Sequence, residues 1–549
     1  MTTESAVATP RTVWTSRDGV ALRDLVPSRD RRAWAARGDY PDRDLYSLFA
    51  EHARRHPARE AVIDAAGAVD YATLAARVRH IAAAFAAAGL GARDVIALRL
   101  PNGREAVAAE LAVAALGAVS LPYSPGRGTR DTLSLLARSR ARGAVFSSPD
   151  DIALRSQLPY LRAVFGPDDL PGARPLDAPA PAFPDPPPPP DPDSPARILV
   201  SSGSEAEPKM VAYSHNAMAG GRAAYIRALH TDDTPPRHLV LVPLASSFGS
   251  CGTPVTVAAL GGTLLVQDSF DPAAALRMIS EYRPTLVFGV PTMLRRLADH
   301  PPVPGEDLTG LRAVVSSGAA LPESTAAACR RRFARPVIAV YGSSDGVNCH
   351  TAATGLTPET GTGRPDPAVA AIRITDGDGA ELPPGQPGEI CARGPMTPLC
   401  YVASPELDAR YRTAGGWVRT GDRGLLDTPG RLHVLGRLRQ IVVRGGYNIS
   451  PAEVERELGA HPAVAEAVCV AVPDPELGER LCACVRELPG TVPSLTLPDL
   501  TAFLERERGL ERRKLPELLL RLPEMPLGPT GKICRRTLTA MASAAPRRA

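Results

Sequence analysis

Of the 63 lysines and arginines in this chain, only Lys209, Lys514 and Lys532 are lysines. The first of them closes the stretch ILVSSGSEAEPKMVAYSHNAM (198–218), an apolar run, a loop of small and hydroxylated residues, and a second apolar run. Such a loop can aim backbone N–H groups and one ammonium at a polyphosphate, so its chemistry is phosphate chemistry or a remnant of it. The bland alternative is a surface turn between two strands. Keeping lysine here while the rest of the chain uses arginine points to a need for a compact charge rather than a planar fork. Two carboxylates, Glu205 and Glu207, stand in the same loop. A second short pattern, GxSxG at Gly342 to Gly346, would make Ser344 a hydrolase nucleophile if a strand-to-helix elbow carried it. The following GVNCHTAATG reads as loop, which argues against that chemistry. No GxxxxGK[ST] and no GxGxxG occurs. Nine cysteines lack any CxxC, and Cys482 and Cys484 read as alternate positions of one strand, so reduced thiols rather than zinc ligands are expected.

The elements that must position these residues are those of an α/β protein. From Asp42 to Phe165, alanine-rich helical segments (71–88, 105–115) alternate with apolar runs (95–100, 144–147), the pattern of βα units on a largely parallel sheet. Residues 171–196 are proline-rich, with five consecutive prolines at 186–190, and read as an extended surface spacer. Further strands are expected at 239–243, 263–267, 285–288, 313–316 and 337–341. From Val369 short strands and turns take over, with 376–379 as a hairpin turn; the spacing and the missing closing glutamate exclude an EF-hand. Helix signals follow at 451–458 and 500–508. A net charge of +4 on 549 residues gives no electrostatic case for nucleic acid or an acidic membrane surface. The N-terminus lacks a basic region followed by an apolar core, and no run of about 18 apolar residues occurs; a cytoplasmic enzyme is expected.

Five segments taken together carry a resemblance. SSGSEAEPK (201–209), YGSSD (341–345), WVRTGD (417–422), GRLRQIVVRGGYNISPAEVE (436–455) and PLGPTGK (526–532) resemble, in order and spacing, the successive signatures of the adenylate-forming superfamily of acyl-CoA synthetases, luciferases and peptide-synthetase adenylation domains. The resemblance implies a large N-terminal α/β domain of stacked βα sheets plus a β-subdomain (1–438), and a small mobile α+β domain (439–549) rotating about a hinge at Arg439 and Gln440. It implies that a carboxylate is activated with ATP to an acyl-adenylate, which CoA thiol then attacks. Lys532 would steady the phosphorus during adenylation and Lys209 would reach phosphate, as catalytic groups. The nucleotide would meet Ser201, Ser202, Gly203, Ser204, Gly318, Ala319, Tyr341, Gly342, Ser343, Ser344, Asp422 and Arg437, with Asp422 taking the ribose hydroxyls and Tyr341 stacking on adenine. Asp345 stands where a glutamate binds magnesium and is one methylene shorter. Gly445, Gly446 and Tyr447 would lie along the CoA arm. The acyl group would face Ser246, Ser247, Phe248, Gly249 and Gly289, and the small residues Ala245, Ser246, Gly249, Gly252, Gly289 and Gly318 suggest room for a bulky apolar acid. No aspartate stands where an α-amino group would be held, so a free amino acid is not expected.

The phosphate loop departs from the family pattern, with Glu205 for a threonine, Ala206 for a glycine, and Glu207 next. Two carboxylates there oppose a triphosphate but not an acyl-adenylate, which lacks the β- and γ-phosphates. The expectation is therefore an enzyme that performs mainly the thioester-forming half-reaction, supplied with adenylate by a separate enzyme, with magnesium required only if adenylation occurs. The alternatives are an ordinary two-step synthetase, a ligase loading a separate carrier protein (no fused carrier domain is expected after Lys532), and an inactive nucleotide-binding homologue. The sequence names neither the acid nor the oligomeric state.

Overall fold

A computed structural model describes residues 11–167, 169–178, 188–201, 207–230, 234–349, 362–438, 440, 442–444, 447–475, 477–488, 490 and 495–545. The first of two eight-stranded sheets has the order Cys400–Tyr401, Lys209–Ser214, Pro195–Ser201, Val119–Pro122, Val95–Leu98, Gly143–Val145, Ala163–Gly166, Arg174–Pro175. It is parallel from Pro195–Ser201 to its Arg174 edge, while Lys209–Ser214 runs antiparallel to both neighbours. The second has the order Val347–Cys349, Val337–Ser343, Ala313–Ser317, Leu286–Gly289, Arg237–Val240, Thr263–Val266, Glu60–Asp64, Gly67–Asp70. Only its two outermost pairings are antiparallel. The strands expected between residues 95 and 343 are found with ends shifted by a few residues.

Helices Tyr71–Ala87 and Arg104–Ala115 share one apolar core with both sheets, which includes Ile96 and Leu199 of the first and Ile63, Phe288 and Val314 of the second. Arg104–Ala115 is buried continuously from Val107 to Ala115. Alanine on nearly every face lets it lie between two layers without a polar side. The other face of the first sheet packs a separate core, in which Ile198, Val200 and Met210 meet Leu135 and Leu136. Two wide π-helical turns, Ala217–Gly221 and Gly252–Ala259, were not legible as helices. Their glycines explain the shape: a Cβ on Gly220 would stand 2.3 Å from the Asp39 carbonyl oxygen, and one on Gly221 2.3 Å from the Met396 nitrogen.

A four-stranded antiparallel sheet follows, Ala371–Thr375, Gly388–Arg393, Val418–Leu426 and Leu432–Arg437, with the expected turn at Asp376 closed by the Asp376 N–H donating to the Ala380 carbonyl (2.9 Å). The expected boundary at 438 falls between this sheet and the last one, Tyr447–Ile449, Val442–Arg444, Gly478–Glu487, Val464–Asp474 and Leu518–Arg521. Helix Pro451–Leu458 covers one face of that sheet and Arg535–Ala544 the other, where Cys482 and Cys484 lie buried side by side. The eight cysteines whose side chains are described are unpaired. The proline-rich segment differs from a loose spacer at its described ends. Arg174–Pro175 extends the first sheet, Leu176 is buried, and Asp193 pairs with Arg31 at 2.5 Å. Among the described residues, no helix is long and apolar enough to cross a membrane.

Candidate active site

The chemistry-bearing segments meet at the carboxyl ends of parallel strands in the second sheet, the usual place for a ligand site in an open α/β sheet. Strand Ala313–Ser317 ends at Gly318, and Val337–Ser343 carries Tyr341, Gly342 and Ser343 before turning at Ser344 to Gly346 into the antiparallel Val347–Cys349. This hairpin replaces the strand-to-helix elbow a nucleophilic Ser344 would need. Gly346 has φ +113°, and a Cβ there would stand 2.3 Å from Pro398 Cδ, so the turn admits only glycine.

Lys209 pairs with Ser201 at the base of the hairpin that carries the phosphate-type loop. Its ammonium is buried, 3.6 Å from Asp345 Oδ1 and 3.8 Å above the Tyr411 ring, with Tyr401 at 5.7 Å. The Tyr401 hydroxyl donates to the same Asp345 oxygen at 2.6 Å. An ammonium and a phenol thus occupy the carboxylate expected to bind magnesium. Both contacts fall on Oδ1, so Asp345 would meet a cation through its other oxygen; among the described residues no three His, Cys, Asp or Glu side chains group as metal ligands.

Asp422 and Arg437 face each other on adjacent strands, joined by a 2.7 Å bond from Arg437 Nε to Asp422 Oδ1. Tyr341 donates its hydroxyl to Asp422 Oδ2 at 2.6 Å. Burial pushes the Asp422 carboxyl up, while Arg437 and the Tyr341 hydrogen bond oppose it. Burial also pushes the Tyr341 phenol up, and the Asp422 charge adds to it.

Lys532 arrives from the far end of the chain. Thr292 Oγ1 donates to the Gly531 carbonyl at 3.1 Å and Ser124 Oγ to the Pro529 carbonyl at 3.3 Å, so the 526–532 segment rests on the large sheets. A Cβ on Gly318 would stand 2.7 Å from Lys532 Cε and 3.2 Å from its Nζ. Solvent reaches the Lys532 side chain, yet protein packed around the ammonium lowers its pKa; Arg437 adds to that and Asp422 opposes it. Ala319 is exposed beside it.

The expected acyl segment is rigidly held rather than open. Ser246 Oγ accepts from the Gly249 N–H at 2.9 Å, and Phe248 meets Phe288 edge-on at 5.9 Å. A Cβ on Gly249 would stand 2.0 Å from the Pro243 carbonyl oxygen, one on Gly252 2.5 Å from Leu244, and one on Gly289 2.9 Å from Leu294. These glycines serve close packing, so the inference of a wide pocket from small residues fails at these three positions. Ser247 instead meets Arg222, and through it Tyr213, neither of which the sequence singled out. Arg222 donates to its carbonyl at 3.1 Å and its Oγ at 3.2 Å, and also to Tyr213 OH at 3.0 Å; Tyr213 in turn donates to the Ser344 carbonyl at 2.8 Å. Tyr401, Tyr411, Tyr213 and Arg222 were missed because each meets the site through contacts far apart in sequence. The signal present was a tyrosine count of 12 in a chain with only 5% aromatic residues.

Ser202, Gly203, Ser204, Glu205, Ala206, Arg439, Gly445 and Gly446 lie outside the described residues. Tyr447 pairs with Arg444 through its backbone, and exposed Gln440 donates its N–H to the Arg437 carbonyl at 3.2 Å. Glu207 turns from the site toward helix Thr129–Ser139, where Arg138 meets it at 3.3 Å and Ser134 donates to it at 3.2 Å.

The AMP-binding enzyme family matches residues 49–402, and the AMP-binding enzyme C-terminal domain matches 453–532. A medium-chain fatty-acid–CoA ligase of Escherichia coli is 30% identical over 522 residues, covering 92% of this chain and 91% of that protein. A salicyl-AMP ligase / salicyl-S-ArCP synthetase of Mycobacterium tuberculosis is 30% identical over 549 residues, covering 95% of each. The solved amide bond synthetase McbA from Marinactinospora thermotolerans superposes with a TM-score of 0.76 at 30% identity, covering 90% of this chain and 99% of its own.

Proposed function

Because the chain belongs to the AMP-binding enzyme family, we propose that it is an acid–thiol ligase that joins a carboxylic acid to CoA, working mainly on a preformed acyl-adenylate. The observation that carries the second part is the closed cluster of Lys209, Asp345 and Tyr401. The ammonium that would reach phosphate instead lies 3.6 Å from an oxygen of the carboxylate that would bind magnesium. Glu205 acts in the same direction. At about 5 Å and an effective dielectric near 20, one carboxylate–phosphate repulsion costs roughly 3 kcal/mol before salt screening. Glu207 does not add to this, since Arg138 meets its charge.

In the half-reaction that remains, the thiol sulfur bonds to the acyl carbon, the bond from that carbon to the phosphate oxygen breaks, and AMP leaves with the thiol proton released to solvent. Asp422, kept in place by Arg437 and Tyr341, would accept the ribose hydroxyls, and the missing side chain of Gly318 gives Lys532 room beside them. Lys532, beside Gly318, would serve adenylation in one placement of the small domain, and Gly445 and Gly446 would border the thiol arm in another, about a boundary at 438–440. A separate carrier protein is a second acceptor to test, favoured by the likeness to a salicyl-S-ArCP synthetase.

The experiment compares acid-dependent ATP–pyrophosphate exchange with thioester formation from synthetic octanoyl- and salicyl-adenylate, offered CoA or a carrier protein, in wild type and in Glu205→Thr with Ala206→Gly. Thioester formation without exchange is the expected result, with exchange gained by the double variant. Robust wild-type exchange would return the chain to the two-step synthetases. No thioester with any acceptor would leave a nucleotide-binding homologue.

A further inference from the structure

Arg222 is fully buried at the start of helix Arg222–Leu229, yet among the described residues no carboxylate pairs with it. Its hydrogen bonds go to Ser247 O and Oγ, Ser250 Oγ at 3.3 Å and Tyr213 OH, and its guanidinium lies 4.7 Å from the centre of the Tyr213 ring. Ser250 Oγ donates to the Ser247 carbonyl at 2.6 Å, and Ser247 Oγ to the Ser343 carbonyl at 3.4 Å. A second buried arginine, Arg197, is paired with Glu110 and donates to the Leu244 carbonyl at 2.7 Å, fixing the other end of the same segment. The anchors on this stretch therefore differ. Arg197 ties its start to the neutralised interior of the first sheet, while Arg222 ties Ser247 to the turn that carries Ser343, Ser344 and Asp345.

A planar fork with several fixed donors transmits displacement, because moving one acceptor rotates the plane and misaligns the bonds on the other side. We infer that Arg222, acting through Tyr213, is a positioning residue that couples occupancy of the acyl segment 246–249 to the geometry of the nucleotide segment 342–345. The inference rests on the ligase reading above, which assigns those two segments to the two halves of an acyl-adenylate. An acyl group pressing on Ser247 turns the guanidinium, and Tyr213 passes that motion to the Ser344 carbonyl. By linkage the effect is reciprocal, so nucleotide at Ser344 tunes the fit of the acid.

The test is calorimetric titration of AMP into the full chain, alone and saturated with octanoate or salicylate, for wild type, Tyr213→Phe, Arg222→Lys and Arg222→Met. In wild type, at least one acid is expected to change AMP affinity by about five-fold or more. Tyr213→Phe, which removes one hydroxyl and keeps the ring over the guanidinium, is expected to bring that ratio to within two-fold of unity. Arg222→Met is expected to do the same, with Arg222→Lys in between, and the Tyr213→Phe arm answers the question if Arg222→Met fails to fold. A ratio unchanged in Tyr213→Phe, or a wild-type ratio of one with both acids, overturns the coupling. Failure of wild type to bind AMP at all overturns the ligase reading instead, and the coupling with it.

Discussion

Arg412 is the side chain near the candidate site with the least return for its burial. Its three guanidinium nitrogens are shut from solvent and meet no hydrogen-bond partner among the described residues, close to the Tyr401 and Tyr213 phenols and to Asp408. An unsatisfied buried donor costs about 1–3 kcal/mol, and replacing a buried ion by an apolar group of similar size is often neutral or stabilising. Arg412→Met is therefore expected to raise stability by about 2 kcal/mol, read as the midpoint of urea unfolding; a fall of that size would mean the guanidinium has a partner that solvent or substrate supplies. Lys532 belongs to the same scale. Its place beside Gly318 gives it access to one placement of the small domain only, so Lys532→Ala is expected to abolish any pyrophosphate exchange while leaving thioester formation from a synthetic acyl-adenylate within about three-fold. Equal loss in both half-reactions would remove it from that role. Asp422 and its strand partner Arg437 were legible as candidates because each sits in a dense local motif. Tyr401, Tyr411 and Arg222 were not, since a single tyrosine or arginine carries no sign of which distant charge it will cover.

At the scale of elements, periodicity sufficed for the parallel strands and the long helices, because a strand buried on both faces is an apolar run and Arg104–Ala115 is alanine on every side. It failed at Ala217–Gly221 and Gly252–Ala259, whose glycines answer to the backbone of other segments rather than to a helical repeat. The same physics reversed the expectation of a wide acyl pocket. A glycine in the sequence signals that something comes close, and here at Gly249 the neighbour is the Pro243 carbonyl and not a ligand. The YGSSDG turn offers a direct check. Gly346→Ala would place a side chain on a left-handed backbone and against Pro398, at a cost of about 3 kcal/mol from strain and overpacking together. The expected readouts are a lower unfolding midpoint and weakened AMP binding, since Ser344 and Asp345 precede that turn. Unaltered AMP binding would separate the turn from the nucleotide site.

Across the whole molecule, the last sheet and the two large ones keep separate cores and meet at this candidate site through the 526–532 segment. A Cβ on Gly126 would lie 3.3 Å from Pro529 Cβ, so Gly126→Phe is expected to disfavour that placement and to lower exchange in any exchange-competent variant more than thioester formation from preformed adenylate. Stability should also follow pH through two buried histidines. Burial lowers His215, against the pull of Asp44 and Asp191, and burial with His230 lowers His238. Both are held neutral in the fold, whereas the unfolded chain takes up protons below about pH 6.5. The stability they contribute is thus present above that pH and is lost as pH falls below it. The urea midpoint is expected to drop between pH 7 and pH 5, and to drop less in His215→Asn; an equal slope in both proteins would clear His215. The scarcity of lysine acquires a meaning of its own once the three are placed. Free amines attack an activated acyl group whereas guanidinium ions do not, Lys209 is enclosed against Asp345, and Lys514 is held by Glu453 at 2.8 Å. Lys532 is exposed, and its pKa is lowered. A chain built this way tolerates the reactive anhydride it handles, and any anhydride that escapes capture should leave its mark as a single adduct on Lys532.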